Sequence, residues 1–135
     1  MTKNKLKFSN VEGFRENLTK FYFMAGGYFG GYESISVEKT DKKIIYIYRH
    51  DYKRISIKYS ISKKKWNEFT EKIFNESIYK WKKKYYNNDI LDGEQWELKM
   101  EFNDLILFES FGSNEYPNNW DTFQEIIYEY FPQMR

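Results

Sequence analysis

The residues with the clearest capacity for chemistry form a lysine- and aromatic-rich run from Lys80 to Tyr86. Lysine ammonium groups bind phosphates and aromatic rings stack on bases, which together bind single-stranded nucleic acid without reading its sequence. The wider segment 63–86 holds eight lysines against three glutamates. The candidate binding residues are Lys80, Lys82, Lys83, Lys84, Tyr85 and Tyr86. The same lysines would also suit a solvated face, and the four-residue spacing of Trp81 and Tyr85 also fits core packing.

Groups that could carry catalysis are few in this chain. His50 is the only histidine and there is no cysteine, so a metal would have to rest on carboxylates. The acidic segment 88–94 resembles a calcium loop but lacks ligands at the required positions. Ser113 lacks the strand–turn–helix setting of an activated serine. We therefore expect no catalytic, metal or cofactor site and no enzyme, unless two carboxylates converge in a deep pocket.

Charge divides sharply along the sequence. Residues 1–86 hold 20 Lys/Arg against 9 Asp/Glu, a net charge of +11, whereas residues 87–135 hold 2 against 11, a net charge of −9. In one interpretation the two halves meet in a single sheet and offset each other. In the other, one face is basic and another is acidic, which would steer a charged partner to the protein.

The elements that must position these groups follow from hydrophobic periodicity. Alternation with period two predicts strands at 33–38, 44–48, 54–61, 96–102 and 105–111. The first three, joined by short turns, form an antiparallel meander, and the last two form a hairpin through Asn103-Asp104. An extended segment, 20–24, leads into the glycine-rich stretch 25–31, which we interpret as a flexible or bulged connection between strands.

Two helices are predicted by apolar residues at three- and four-residue spacing. Ser62 is a suitable N-cap for the first helix, whose apolar stripe includes Trp66 and Phe69. The second helix opens after Pro117. The expected fold class is therefore α+β, with an antiparallel sheet of about five to six strands (meander plus C-terminal hairpin) and two helices packed on one face. We expect a single domain over 1–135, with residues 1–19 as an N-terminal extension.

A sequence pattern, W…Y…DGxxWxL…GSNxYPxN(W/F)xxF, runs through the C-terminal 55 residues. It resembles the pattern of a family of small uncharacterised bacterial proteins that are common in clostridia-like bacteria. No activity is assigned to that family, so the resemblance implies a fold and no catalytic role. The residues that carry it are Trp81, Asp92, Gly93, Trp96, Gly112, Ser113, Asn114, Tyr116, Pro117 and Trp120.

Each part of this motif has a structural interpretation. Asp92-Gly93 suits a turn, and the segment 112–114 can bond its own backbone between strand and helix. Tyr116-Pro117 would hold the link extended, and Asn118 or Asn119 would cap the second helix. The functional alternative is an anion site at the N-terminus of that helix, although the surrounding acidic residues would repel the anion.

No apolar run is long enough to span a membrane, and residues 1–9 lack the apolar core of a secretion signal. We expect a cytoplasmic protein, in a bacterium or in the host cell of a phage. The charge division and the lack of catalytic groups favour a non-enzymatic protein-binding inhibitor in bacterial conflict. Such a protein would be a toxin immunity protein or a phage anti-defence (anti-CRISPR-type) protein. The alternative is a nucleic-acid-binding accessory protein that uses residues 63–86, and homodimerisation through sheet edges stays open.

Overall fold

Seven strands form one sheet in the computed structural model, which describes residues 8–87, 89, 93–103 and 106–135. In chain order they are β1 (Leu18–Gly27), β2 (Gly31–Lys39), β3 (Ile44–His50), β4 (Ile55–Ile61), β5 (Lys84–Tyr86), β6 (Glu94–Phe102) and β7 (Ile106–Ser113). Across the sheet the order is β4-β3-β2-β1-β6-β7-β5. The two edge strands are therefore β4 and β5. Every pairing is antiparallel except the parallel pair of β5 with β7.

The central strand β1 joins the two halves of the chain. Phe21 lies opposite Val37 of β2 on one side and opposite Met100 of β6 on the other. The meander β1–β4 is built from neighbours in sequence, whereas the pairing of β1 with β6 is long-range. The basic and acidic halves therefore meet along the ladder between β1 and β6, and again along the short ladder between β5 and β7.

Three helices cover one face of the sheet: α1 (Val11–Asn17), α2 (Lys63–Asn75) and α3 (Trp120–Tyr130). Alternate strand residues turn their apolar side chains toward these helices, and both sets belong to one buried cluster. Aromatic rings connect the layers, with centroid distances of 5.1 Å for Phe21–Phe69 and 5.0 Å for Phe23–Phe123. Ser62 caps α2 as predicted, since its Oγ accepts a hydrogen bond from the backbone N–H of Lys65.

The α+β class is confirmed, but the counts of elements differ from the prediction. The sheet has seven strands where five to six were expected, and three helices are present in the described part of the chain where two were expected. The short β5 was missed because three residues carry no periodicity and their partner lies far along the chain. The seven-residue α1 was missed because it depends on packing: it is capped by Asn10 and buries Phe14.

The segment predicted to be an N-terminal extension is partly integral to the fold. Phe14 and Leu18 are fully buried, and Arg15 donates hydrogen bonds to Thr70 Oγ1 and to the carbonyl oxygen of Asn67 on α2. Some predicted positions lie outside the described residues: 1–7 of the extension, 88 and 90–92 of the acidic segment with Asp92 of the motif, Asp104 of the predicted turn, and residue 105 of the predicted strand. Among the helices of the described part, none has the length and hydropathy needed to cross a membrane.

Candidate functional site

The glycine-rich stretch forms the β1–β2 hairpin, and two of its glycines are required by close approach. Gly31 has φ +77°, and a Cβ there would lie 2.6 Å from Asp51 Oδ1 and 2.7 Å from the ring of Tyr52. A Cβ on Gly26 would overlap the carbonyl oxygen of Gly31. The hairpin can therefore fold closely on itself and on the β3–β4 turn only because both positions lack a side chain.

Two aromatic residues occupy the end of this hairpin and face solvent. Tyr28 is 66% exposed and Phe29 is 82% exposed, and their rings meet edge to face at 5.2 Å. The neighbouring β3–β4 turn adds Tyr52, which is 58% exposed and donates its hydroxyl hydrogen bond to the carbonyl oxygen of Tyr28. We call Tyr28, Phe29 and Tyr52 the aromatic tip. Large aromatic rings this exposed contribute little to the core and are typical of interaction surfaces.

The β3–β4 turn holds the aromatic tip in place. Asp51 Oδ1 accepts hydrogen bonds of 2.7 Å from the backbone N–H groups of both Tyr32 and Tyr52. His50 is buried beside them, and its Nδ1 accepts the N–H of Lys53 at 3.3 Å. The lone histidine therefore organises the turn and lines the neighbouring cleft.

A cleft of about 530 Å³ lies beside the aromatic tip and contains two glutamates. Glu33 accepts a hydrogen bond of 2.6 Å from the hydroxyl of Tyr48, and Glu94 accepts one of 2.9 Å from Tyr116. Neither glutamate takes part in the four ion pairs that the described residues form. We call this the acidic cleft; its walls also include His50, Gln124 and Tyr128.

The two carboxylates give the acidic cleft a negative potential, which contributes to the raised pKa values of neighbouring tyrosines. Burial, followed by the hydrogen bond to Glu94 and its charge, raises the pKa of Tyr116 to about 12. Burial and then Glu33 raise the pKa of Tyr48 in the same way. Tyr128 lies within the field of both glutamates, and its pKa is raised by burial first and then by their charges, against the smaller opposing effect of Arg135. The cleft suits a cationic group held between carboxylates and aromatic rings.

The predicted lysine and aromatic segment is only partly available for binding. Tyr85 is 8% exposed and packs on Trp96 at 5.8 Å, so its ring offers no open face to a base. Lys83 Nζ lies 4.0 Å from Glu109, an ion pair at the limit of contact. The segment's other predicted residues are Lys80, Lys82, Lys84 and Tyr86, of which Lys82 is half-buried and the others are exposed. Tyr86 is the one predicted aromatic contact residue that reaches solvent.

The motif tryptophans pack together in the core. Trp96 lies 5.7 Å from Trp81 and 4.7 Å from Trp120 between ring centroids. A Cβ on Gly112 would overlap Nε1 of Trp96, which explains the glycine. That Nε1 donates a hydrogen bond to the carbonyl oxygen of Glu115. These tryptophans therefore belong to the buried core.

The link from β7 to α3 contains the rest of the motif. Asn114 adopts φ +61°, and a Cβ on Gly93 would overlap its Oδ1. The carbonyl oxygen of Ser113 accepts the N–H of Asn87, and Pro117 is buried. Asn119 occupies the N-cap position of α3, but the prediction that its side chain caps the helix is wrong. The side chain makes no cap hydrogen bond and instead bonds Trp81 and Glu76.

Sequence reasoning missed the aromatic tip as a site. The available signal was the position of Tyr28 and Phe29 between two glycine pairs, since a tight hairpin turn cannot return both rings to the core. Searches against protein-family models, curated proteins and solved structures found no match to this chain. Among the described residues, no group of three or more His, Asp or Glu side chains is arranged to hold a metal ion.

Proposed function

We propose that this protein is a non-enzymatic, protein-binding inhibitor that docks through the aromatic tip and the acidic cleft. It would act as a toxin immunity protein or a phage anti-defence protein. The exposure of Tyr28 and Phe29 is the main support for the proposal. Both rings lie outside the core on a glycine-flanked hairpin, where they can pack against the surface of a partner protein. The buttressing by Asp51 and Tyr52 supports it, since a held anchor loses less conformational entropy on binding.

The chemistry of the site indicates the kind of partner surface. Glu33 and Glu94 would accept a lysine or arginine side chain, and the neighbouring rings would add cation–π attraction. The partner is therefore a protein that presents a basic side chain beside an apolar patch. The acidic cleft would speed encounter with such a basic surface as well as hold it.

The division of charge along the sequence supports this proposal less than the local cleft does. Within the described residues there are four ion pairs, and three of them join the basic half to the acidic half. These are Lys20–Glu101, Lys72–Glu129 and Lys83–Glu109. The two halves thus offset each other in part through ion pairs at the surface, so the local pair Glu33 and Glu94 is the better basis for charge recognition.

The test is an affinity capture from lysate of the source host, treated with nuclease, using three forms of the tagged protein. The double variant Tyr28→Ala/Phe29→Ala should lose a protein that the wild type retains. Leu107→Ala is the control. Leu107 is also exposed, but it lies on β7 level with the start of β1, at the end of the sheet away from the aromatic tip. Equal retention by all three forms would overturn docking through the tip.

The role of the acidic cleft is tested with the captured partner after purification. Glu33→Gln/Glu94→Gln should weaken the affinity at least tenfold, and the loss should shrink at high salt. Glu71→Gln, an exposed change on α2, should bind as wild type. An affinity that is unchanged in the double variant would contradict recognition of a basic side chain. Inhibition of the partner's activity by the wild type, and not by the tip variant, would identify the protein as its inhibitor.

Nucleic-acid binding is a second candidate, favoured by one observation on β5. Lys84 and Tyr86 both lie on the side of this edge strand that faces away from the core, and Tyr86 is 46% exposed. The Tyr86 ring also lies 6.1 Å from that of Phe111. A single strand could stack on this pair while Lys82 and Lys84 contact its phosphates.

A further inference from the structure

A basic groove of about 600 Å³ lies between α1, the β2–β3 turn and the start of α2. Five cationic side chains line it: Arg15, Lys39, Lys42, Lys43 and Lys63. Its acidic members are Glu16 and Asp41. The groove and the aromatic tip lie at opposite ends of β2, so they are separate sites.

Within the described part of the chain, the cations of the basic groove are not neutralised by ion pairs. The four ion pairs found there use other lysines, at positions 20, 72, 83 and 99. Lys39 is held in place instead, because its Nζ donates to the backbone carbonyl oxygens of Arg15 and Glu16 at 2.9 and 3.2 Å. Burial, with the charges of Arg15 and Lys63, lowers the pKa of Lys39 against the opposing charge of Glu16. A bound anion would offset the repulsion among Lys39, Arg15 and Lys63.

The start of α2 adds positive potential to the same groove. The helix is 13 residues long and begins with Lys63-Lys64-Lys65, without an acidic residue in its first turn. Ser62 Oγ accepts the N–H of Lys65. Lysines at this end oppose the helix dipole, where carboxylates are normally favoured. Residues that break a local rule are expected where function requires them.

Trp66 supplies an independent sign of a missing ligand atom. Its side chain forms part of the groove wall and is 1% exposed. Its Nε1 is buried and meets no hydrogen-bond acceptor among the described residues, the one such side-chain atom found there. Buried polar atoms without partners are rare, and a ligand oxygen deep in the groove would satisfy this one after a small displacement of the groove wall, since the atom is closed to solvent in this structure.

We propose that the basic groove binds a small phosphorylated molecule, whose phosphoryl oxygens contact the lysines, the N-terminus of α2 and the indole N–H of Trp66. The volume of the groove fits a ligand of nucleotide size. Helix N-termini with basic side chains are established phosphate binders. Free inorganic phosphate and polyphosphates share this chemistry, so the experiment must separate them from a nucleotide.

The test follows the four tryptophan indole resonances by ¹H–¹⁵N NMR during titration with phosphate, tripolyphosphate and ATP at constant ionic strength. Trp66→Phe assigns its resonance. Binding should give a saturable shift of the Trp66 peak, with an affinity at least tenfold weaker in Lys42→Gln/Lys63→Gln. Lys53→Gln/Lys58→Gln, which removes the same charge outside the groove, should bind as wild type.

The three probes identify the source of the phosphoryl group. Equal affinity for tripolyphosphate and ATP would assign recognition to the phosphate chain, and tighter binding of ATP would add a nucleoside subsite; both support the proposal. A shift that never saturates, or that is equal in the two double variants, would overturn it as ionic screening. Binding of a 12-nucleotide single strand in the groove, with no saturable response to any small probe, would overturn it in favour of nucleic acid.

Discussion

The indole Nε1 of Trp81 donates a hydrogen bond to Oδ1 of Asn119 over 2.9 Å. The amide nitrogen of the same asparagine donates to the carbonyl oxygen of Glu76 at 2.8 Å. One side chain thus ties the end of α2, the segment before β5 and the start of α3. This explains an asparagine at a helix N-cap position that does not cap the helix.

Asn119→Ala should lower the free energy of unfolding by about 1–3 kcal/mol, because it removes the hydrogen bonds that Asn119 makes to the buried indole N–H of Trp81 and to the carbonyl oxygen of Glu76. Urea denaturation followed by tryptophan fluorescence measures the change. Asn118→Ala is the matched control, since Asn118 is the exposed neighbouring asparagine. A decrease of less than about 0.5 kcal/mol for Asn119→Ala would contradict the bridging role.

Gly112→Ala should destabilise the protein by about 1–3 kcal/mol or more, since the new Cβ would overlap Nε1 of Trp96 and lie 2.7 Å from the carbonyl oxygen of Glu115. Gly30→Ala is the control, because nothing lies within 4 Å of a Cβ there. Thermal melting of both variants gives the comparison. Similar melting temperatures for the two would show that the tryptophan cluster can yield space to a methyl group.

The fold and the sites were predictable to different degrees, for physical reasons. The meander β2–β4 and the amphipathic helices α2 and α3 carry their periodicity locally, so their residues alone indicate them. The parallel pairing of β5 is decided by distant residues, and three residues have too little pattern to reveal it. The basic groove combines three segments that are far apart in sequence, so its lysines could not be separated from ordinary surface lysines.

The tyrosines beside the acidic cleft predict a loss of stability at alkaline pH. The pKa of Tyr116 is raised from 10.0 to about 12, so the folded state favours the neutral hydroxyl. This contribution to stability is fully present below about pH 10 and is lost as the pH rises through about 12. Tyr116→Phe cannot ionise, and its free energy of unfolding should fall less steeply than that of the wild type between about pH 9 and pH 11.5. Parallel curves from urea denaturation at these pH values would contradict the raised pKa.

If the protein binds single-stranded nucleic acid, Lys82→Gln/Lys83→Gln/Lys84→Gln should weaken binding and flatten its dependence on salt. The slope of log K against log salt should decrease by about 0.7 for each phosphate that the variant no longer neutralises. Fluorescence anisotropy with a labelled oligonucleotide measures both quantities. Lys53→Gln/Arg54→Gln/Lys58→Gln removes the same charge beside the other edge strand and should have the smaller effect. Identical slopes for the wild type and the first variant would eliminate this function.

Tyr86→Ala separates stacking from charge in the same assay. Removal of its exposed ring should cost about 1–3 kcal/mol of binding free energy without changing the salt slope. The folded state should tolerate the change, because the ring lies at the sheet edge. An affinity equal to that of the wild type would show that Tyr86 does not stack on a base.

The central position of β1 has a consequence for the order in which the chain folds. Strands β1–β4 can pair as soon as residues 18–61 have been synthesised, but the second edge of β1 stays open until β6, residues 94–102, arrives. Closing this long loop is entropically slow, and it is also the step in which the basic half of the chain meets the acidic half. Opposite charges should accelerate that encounter, so we expect added salt to slow refolding in stopped-flow experiments. A refolding rate independent of salt would mean that apolar burial alone brings β6 to its place.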